Sequence, residues 1–356
     1  MSTDTTISQR PTPPSYEVPK AIRFGALAVG FLVLVLFPLV FNNPTISTIG
    51  VFAMIFLMAV TGWNIFSGYT GYIALGHAVF FGIGQYATAM LASYWQIPPG
   101  WETFLLIPVA MFLAGLAAIP IGLIVLRVRK HTFIVLTIAL MFIFQLFAYN
   151  LRGWTGGSQG LEVSQPPWDG SIFNLPYYYV GLFLAIVAII SSFMIRRSKF
   201  GLSLLAIRDD EDRARSLGIN TRNSKLTAFV ISAIFLGAAG CMYAMFVGSV
   251  YPQFSFDPAF DLELSIMAFA GGLGTILGPS LGALIISGAQ QYFLITFGGA
   301  NVFLIVYGAL FILILRLLPG GVVPAISDKW RSHVVRKEQR ILDCELEGPA
   351  EAGAHK

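Results

Sequence analysis

Long apolar runs, separated by short polar or glycine- and proline-rich segments, cover most of the chain between residues 22 and 317. Several runs exceed 18 residues, the length at which an apolar helix can cross the hydrocarbon core of a bilayer. The pattern therefore predicts a series of membrane-spanning helices. The first seven are expected at 22–42, 46–66, 71–94 (beginning after Gly71), 103–126, 131–151, 178–195 and 226–250.

The apolar sequence after residue 263 is harder to divide because glycine and proline interrupt it at Gly271, Gly272, Gly274 and Pro279. Basic residues from Arg316 onward favour a cytoplasmic C-terminus, which requires an odd number of further crossings. Residues 251–263 contain acids but no Lys or Arg, which predicts an outer loop. We therefore predict three more segments after it, at 264–275, 278–297 and 302–317. The predicted fold is all-α: a polytopic integral membrane protein with about ten transmembrane or re-entrant helices and a cytoplasmic coupling helix.

One long polar segment, 196–225, interrupts the apolar pattern between the sixth and seventh predicted spans. Four acids in a row, at 209–212, predict a short helix at 210–217, with Asp209 as its N-cap and Gly218 as the residue that ends it. Upstream, Leu202, Leu205 and Ala206 form a small apolar stripe at helical spacing. The basic residues of the segment are Arg196, Arg197, Lys199, Arg208, Arg213, Arg215, Arg222 and Lys225.

Two interpretations of this polar segment remain open. A loop that only sets membrane topology needs basic residues and little else. Helix-forming signals in both halves of the segment favour a coupling element against which a soluble partner docks.

Composition agrees with a membrane protein and excludes an ordinary soluble domain. Hydrophobic residues make up 56% and charged residues 11% of the 356, and the mean hydropathy is +0.74. The net charge of +4 matches the excess of Lys and Arg on cytoplasmic loops and does not indicate nucleic-acid binding. The two cysteines, Cys241 and Cys344, provide neither a disulfide framework nor a metal site.

The charge distribution also predicts the domain organisation and places both termini in the cytoplasm. Lys20 and Arg23 flank the first span on its N-terminal side. The predicted regions are a flexible cytoplasmic tail at 1–20, a transmembrane domain at 21–318 that includes the loop 196–225, and a polar cytoplasmic tail at 319–356.

Two stretches are candidates for a substrate pathway. In 64–86, Asn64 and His77 are polar groups at membrane depth, which usually face a protein interior or a cavity. In 262–282, glycine and proline break short helices, which is tolerated only inside the protein or beside a cavity. Plain helix packing is the alternative for the glycines, and a packing role is the alternative for His77. The candidate pathway residues are Asn64, Ser67, Gly71, Gly76, His77, Gly271, Gly272 and Gly274.

The sequence carries no motif for energy conversion or catalysis. No Gly-Lys pair occurs, so there is no P-loop, and any ATPase that powers transport must be another chain. Residues 156–160 fit the nucleophile pattern G-x-S-x-G but lack its strand–turn–helix context and a histidine partner. The four histidines show no metal-ligand spacing. We therefore expect no enzyme activity, no cofactor and no metal.

Five blocks of sequence resemble the M-type permease subunit of ABC importers for branched-chain amino acids. They are SGYTGYIALGHAVFFGIGQY (67–86), TGGSQGL (155–161), FGLSLLAIRDDEDRARSLGIN (200–220), LTAFVISAIFLGAAG (226–240) and GGLGTILGPSLGALI (271–285). The 200–220 block is similar to the loop that importer permeases insert into their ATPase, and Glu211, Ala214 and Gly218 match that loop's Glu-Ala-Ala…Gly pattern with one extra residue before the glycine. Tyr72 stands where many relatives carry Gln.

The resemblance implies a multi-pass subunit of the inner (cytoplasmic) membrane that imports Leu, Ile and Val. It also implies a second, H-type permease subunit, two peripheral ATP-binding subunits and a periplasmic substrate-binding protein as partners. The residues that it assigns to ATPase coupling are Ala206, Arg208, Asp209, Asp210, Glu211, Ala214 and Gly218.

Three alternatives to this function were weighed against the sequence. Sister ABC permeases for urea or short-chain amides share the same motifs. A stand-alone secondary transporter would carry paired charges within its spans for ion coupling, and the sequence shows no convincing pair. A membrane-embedded enzyme would need a clustered catalytic constellation, and none is found.

Overall fold

The computed structural model describes residues 20–40, 43–170 and 172–297, together with positions 308, 309 and 316. The chain divides into two compact units, one of residues 36–323 and one of residues 1–35 with 324–356. In the smaller unit, the described residues form the first part of an apolar helix on which Val29, Phe31 and Leu32 are exposed. The features below all belong to the larger unit.

The described residues are almost entirely helical. In chain order the helices are α1 (Lys20–Val40), α2 (Pro44–Trp63), α3 (Ala78–Tyr94), α4 (Leu106–Val125), α5 (Lys130–Asn150), α6 (Arg152–Thr155), α7 (Asn174–Arg197), α8 (Lys199–Asp209), α9 (Glu211–Ser216), α10 (Thr221–Val247), α11 (Pro252–Ser255), α12 (Pro258–Gly271) and α13 (Gly278–Phe297). A π-helical turn, Asn64–Gly68, extends α2, and 3₁₀ turns lie at Trp101–Leu105 and Gly157–Gln159. Two strands, β1 (Leu161–Glu162) and β2 (Ser249–Val250), form an antiparallel pair.

The structure confirms a helical, polytopic membrane protein. Five helical segments of the described chain are long and apolar enough to cross a membrane: Pro44–Gly68, Trp101–Val125, Lys130–Asn150, Asn174–Arg197 and Thr221–Val247. The predicted span 302–317, apart from three positions, and the predicted tails, apart from Lys20, lie outside the described residues. The predicted total of about ten helices therefore stays a prediction.

Helix α10 lies at the centre of the larger unit, packed against α2, α3 and α4. Small residues allow this close approach. A Cβ added to Gly84 of α3 would lie 2.2 Å from the carbonyl oxygen of Gly237, and one added to Gly240 would lie 2.0 Å from that of Phe81. Glycine is therefore required where these backbones touch, as is common between membrane helices.

Sequence signals mark several helix starts. Asn43, Ser198, Asn220 and Asp257 each accept a hydrogen bond from a backbone N–H in the first turn of the helix that follows, and proline is the first residue of α2 and α12. Both features are typical of helix N-termini.

Three predicted boundaries are wrong. Helix α3 begins at Ala78 and not just after Gly71, because Gly71 adopts a φ of +70° that leaves the helical path. The predicted outer loop 251–263 contains α11 and the first turns of α12, whose start at Pro258 follows the Asp257 cap. The N-cap of the charged helix is Asp210 and not Asp209, which is still the last residue of α8.

Candidate functional site

The site is built around two interruptions in the membrane helices. The first break is residues 71–77, between the helical turn that continues α2 as far as Thr70 and the start of α3 at Ala78. Side chains replace the backbone hydrogen bonds that a helix would supply there: Ala74 donates its N–H to the Ser67 hydroxyl oxygen (3.3 Å), and the Trp63 indole donates to the Ala74 carbonyl (2.9 Å). The predicted pathway residue Ser67 is fully buried, and its hydroxyl satisfies a backbone N–H of the first break.

The second break is residues 272–277, between α12 and α13. Gly272 and Gly274 have φ of +118° and +76°, conformations that side-chain-bearing residues rarely adopt. The Thr275 hydroxyl donates to the Gly272 carbonyl (2.7 Å) and accepts from the Gly278 N–H (3.1 Å), so it links the break to the start of α13. A Cβ on Gly271 would lie 1.8 Å from the Gly278 carbonyl oxygen, so a glycine is needed where the two helices meet.

Asn64 connects the two breaks. Its side-chain amide donates to the Thr275 carbonyl (3.0 Å) and accepts from the Gly274 N–H (2.9 Å), and the side chain is completely buried. Asn64 and Gly274 belong to the two separate stretches of the predicted pathway, 64–86 and 262–282. The structure brings these two predicted residues into direct contact.

The α8–α9 pair, Lys199–Ser216, lies against both breaks. The Arg208 guanidinium donates to the Gly68 carbonyl (2.9 Å), and a Cβ on Gly71 would lie 3.0 Å from Arg208 Cγ. A second arginine, Arg196 at the end of α7, donates to the Gly274 carbonyl (2.8 Å). The predicted coupling residue Arg208 is thus hydrogen-bonded to the end of the π-helical turn that leads into the first break.

A buried polar network joins α9 to the first break and to α10. The Lys225 ammonium donates to Glu211 Oε1 (2.7 Å) and to the Tyr72 hydroxyl oxygen (3.2 Å), while the Tyr72 hydroxyl donates to Glu211 Oε2. The Lys225 side chain is 4% exposed and that of Glu211 18%. Burial alone would raise the pKa of Glu211, but the hydrogen bonds from Lys225 and Tyr72 outweigh it and lower the pKa. Glu211 is therefore ionised at neutral pH.

Helix α9 is short and carries a complete cap at each end. Asp210 accepts from the N–H groups of Asp212 and Arg213 (both 3.0 Å). At the other end, Gly218 has a φ of +86°, its N–H bonds to the Arg215 carbonyl, and the Ile219 N–H bonds to the Ala214 carbonyl. This is the glycine-terminated motif that ends many helices.

The α8–α9 pair has one face buried against the rest of the protein and one exposed face. Gly201, Leu204, Ile207 and Ala214 are buried against the rest of the protein. Leu202 is 62% exposed and Leu217 80% exposed. Ala206 is half-buried and Asp209 is exposed, so the pair presents both apolar and charged groups outward.

The sequence profile of the family described as branched-chain amino acid transport system, permease component, matches residues 45–315. This range contains both breaks and the α8–α9 pair. The chain belongs to this family.

Individual relatives of the permease agree with this assignment. It is 30% identical over 315 residues to the high-affinity branched-chain amino acid transport system permease protein LivM of Escherichia coli (strain K12), covering 78% of this chain and 72% of the relative. The LivM protein of Salmonella typhimurium (strain LT2) is 28% identical over 73% of this chain and 68% of its own. A shorter match, 31% identical over 33% of this chain and 34% of the relative, is to the xylose transport system permease protein XylH of Haemophilus influenzae. No solved structure matches the permease.

Two other predicted pathway residues of the permease, His77 and Gly76, are packed closely against neighbouring helices, and their place in a pathway stays a prediction. His77 is fully buried, its ring lies 5.4–5.8 Å from those of Phe66, Phe80 and Phe229, and neither ring nitrogen has a hydrogen-bond partner among the described residues. Gly76 lies against α5, where a Cβ would approach the Thr137 carbonyl oxygen to 2.3 Å.

Sequence reasoning missed four residues of the site in the permease. Asp261 of α12 is fully buried, and both of its carboxylate oxygens accept from the Ala78 N–H (3.2 Å). A side chain of α12, the helix before the second break, therefore caps the start of α3, the helix after the first break. The Asp257-Pro258 pair is a helix-start signal that could have moved Asp261 out of the predicted outer loop. Lys225, Tyr72 and Arg196 were noted in the sequence, but no local pattern showed that they meet Glu211 and Gly274.

Proposed function

We propose that this permease is the M-type subunit of an ABC importer for branched-chain amino acids, and that the α8–α9 pair transmits the motion of a separate ATPase to the two helix breaks. The family assignment and the LivM relatives support the transport function. The observation that carries the coupling proposal is the contact of the α8–α9 pair with Gly68 and Tyr72, next to the Asn64 bridge to the second break.

The exposed face of the α8–α9 pair is the proposed ATPase contact. Leu202 of α8 and Leu217, the residue that follows α9, are both exposed in the segment that also carries the acids 209–212. They would give a protein partner apolar surface in addition to charge. The chain contains no P-loop, so the ATP must be hydrolysed by peripheral subunits. The remaining coupling residues proposed here are Ala206, Asp209, Asp210, Ala214 and Gly218.

The proposed mechanism depends on the hydrogen bonds that attach the α8–α9 pair to the two helix breaks. A push on the α8–α9 pair acts on Tyr72 through Glu211 of α9 and on Gly68 through Arg208 of α8. The Asn64 amide carries it to Gly274. To change a two-state population from 1:99 to 99:1, the ATPase must favour one arrangement by about 5.5 kcal/mol. Binding of ATP, which closes the ATPase dimer, supplies this preference in the proposed cycle.

The proposed substrates are Leu, Ile and Val, which are zwitterions with apolar side chains. The pathway would run beside the two breaks and use the small apolar and backbone polar groups of Ser67, Gly71, Gly271, Gly272 and Gly274. A strong fixed charge would trap a zwitterion, and the five long membrane-spanning segments of the described chain carry charged residues only near their ends.

The proposed assembly lies in the inner membrane with the termini and the α8–α9 pair in the cytoplasm. Its other members would be an H-type permease, two ATP-binding subunits and a periplasmic binding protein. Reporter fusions at 170 and 210 test the orientation, with 170 expected outside and 210 inside. The reverse result would place the α8–α9 pair out of reach of a cytoplasmic ATPase.

Coupling is tested by ATP-dependent leucine uptake in proteoliposomes that contain the whole transporter. The Leu202→Asp, Leu217→Asp double variant is expected to lose uptake and retention of the ATPase while inserting normally. Tyr94→Asp, at an equally exposed position 84% accessible at the end of α3, is the matched control and should retain both. Normal uptake by the double variant would contradict the coupling role, and competition by urea or xylose but not leucine would contradict the substrate.

A further inference from the structure

A cavity of about 660 Å³ opens between the α4–α5 turn, α9 and the first turn of α10. Its volume lies within the range of small-molecule binding sites. Of the residues that line the cavity, only Tyr72, Glu211 and Lys225 belong to the polar network used in the transport mechanism proposed above. The charged bases that line the cavity are Arg127, Arg129, Lys130, Arg215, Arg222 and Lys225.

The cavity has an excess of positive charge. Besides these six bases it contains His131 and two acids, Glu211 and Asp212. Glu211 is paired with Lys225 and Arg215. Arg127, Arg129, Lys130 and Arg222 form no ion pair with any described residue, and a concave cluster of unpaired bases favours an anionic ligand.

The cavity also lies at the ends of apolar spans. Helix α4 ends at Val125, α5 begins at Lys130 and α10 begins at Thr221, so its mouth is at the level where hydrocarbon meets the polar headgroups. Apolar side chains continue outward from it along α4 and α5: Leu116 is 52% exposed, Ile124 62% and Val135 67%. A ligand with a charged head and apolar chains matches both surfaces.

We propose that this cavity binds the phosphate headgroup of an anionic phospholipid from the same leaflet, with the acyl chains along the exposed side of α4 and α5. Arginine forms paired hydrogen bonds with phosphate oxygens, and basic pockets between spans on the cytoplasmic side suit lipid headgroups. The inference rests on the proposed cytoplasmic position of this face and does not depend on which substrate is transported.

The test is native mass spectrometry of the assembled transporter released from nanodiscs that contain phosphatidylglycerol and phosphatidylcholine in equal amounts. The wild type is expected to retain phosphatidylglycerol selectively. Each base near the membrane surface contributes about fivefold in affinity, so the Arg127→Gln, Arg129→Gln, Arg222→Gln triple variant should retain about a hundredfold less. The single variant Arg222→Gln, at an exposed position, should show a loss of about fivefold and guards against misfolding of the triple variant.

The matched control is Arg197→Gln, Lys199→Gln, Arg213→Gln, which removes the same charge from exposed positions outside the cavity. It should retain the lipid. Equal losses in both triple variants would mean that only net charge matters and would overturn the site. Displacement of the lipid by millimolar inorganic phosphate would show that the site takes a soluble anion, and unchanged lipid with loss of the ATPase would show a protein contact. Either result would overturn the proposal.

Discussion

The irregular backbone is stabilised in different ways at the two helix breaks. At the first break, side chains from the preceding helix, Trp63 and Ser67, bond to the irregular backbone, and an ionic network with Glu211 lies beside it. At the second break, glycine conformations form the turn, and the amide of Asn64 and the guanidinium of Arg196 come from other helices. The first break is therefore held largely by its own sequence, whereas the shape of the second depends on its neighbours.

The largest expected effect comes from removing the connection between the breaks. Asn64→Ala leaves the Gly274 N–H and the Thr275 carbonyl without their partner in a buried site, which should lower the free energy of unfolding by about 4 kcal/mol. Unfolding in mixed detergent micelles measures this loss, and leucine uptake should fall with it. Asn150→Ala removes an exposed amide that bonds only to its own helix and should change stability by less than about 0.5 kcal/mol. Equal effects of the two variants would refute the bridging role.

A next, smaller effect should distinguish the glycines of the two breaks. A Cβ on Gly274 would lie 2.1 Å from Arg208 Nη1 and 2.8 Å from the Gly68 carbonyl oxygen, whereas one on Gly71 would lie 3.0 Å from Arg208 Cγ. Both positions have positive φ, so Gly274→Ala should lower the free energy of unfolding by about 3 kcal/mol and Gly71→Ala by about 1.5 kcal/mol. Gly153→Ala, with no atom within 4 Å of its added Cβ, serves as the control. A larger loss at Gly71 would reverse the proposed contrast.

The ionic network beside the first break should behave as a buried pair. Lys225→Met leaves Glu211 charged without its principal partner and should lower the free energy of unfolding by about 3 kcal/mol. The double variant Lys225→Met, Glu211→Leu removes both charges and should recover at least half of that loss. If the double variant is as unstable as the single variant, the pair does not act as a unit.

The smallest effect is the pH dependence of the same network. Because the pKa of Glu211 is lowered in the folded protein below its ordinary value of 4.5, its stabilisation is present above about pH 4.5 and is lost as the pH falls through the lower folded value. The thermal midpoint of the wild type should therefore fall more steeply below pH 4.5 than that of the Lys225→Met, Glu211→Leu variant. Parallel pH curves would show that Glu211 adds no acid-sensitive stability.

Local sequence patterns were sufficient for much of the fold. Apolar runs located the long helices within a few residues, and the acids at 209–212 with Gly218 located α9, because spans and caps depend on residues close in sequence. The start of α3 was wrong because a run such as 71–77 is apolar whether it is helical or extended. Asp261 was assigned to a loop because its burial depends on α3, which lies far away in the chain.

The sequence predicted the pathway residues and the coupling residues of the candidate site as two separate sets. It did not predict the contacts between them. Asn64 and Gly274 are separated by 210 residues, and Tyr72 and Glu211 by 139, so no spacing in the sequence relates them. Composition indicated which polar groups were unusual at membrane depth. Only the folded arrangement shows that the coupling and pathway residues share contacts, and their functional roles stay proposals.

The Asn64 bridge has a consequence for how the interior is hydrated. One amide satisfies a donor and an acceptor of the second break, so separating the breaks exposes three polar groups together in an apolar environment. Such groups are costly to leave bare. Wetting of the membrane interior must therefore accompany any movement that draws the two breaks apart.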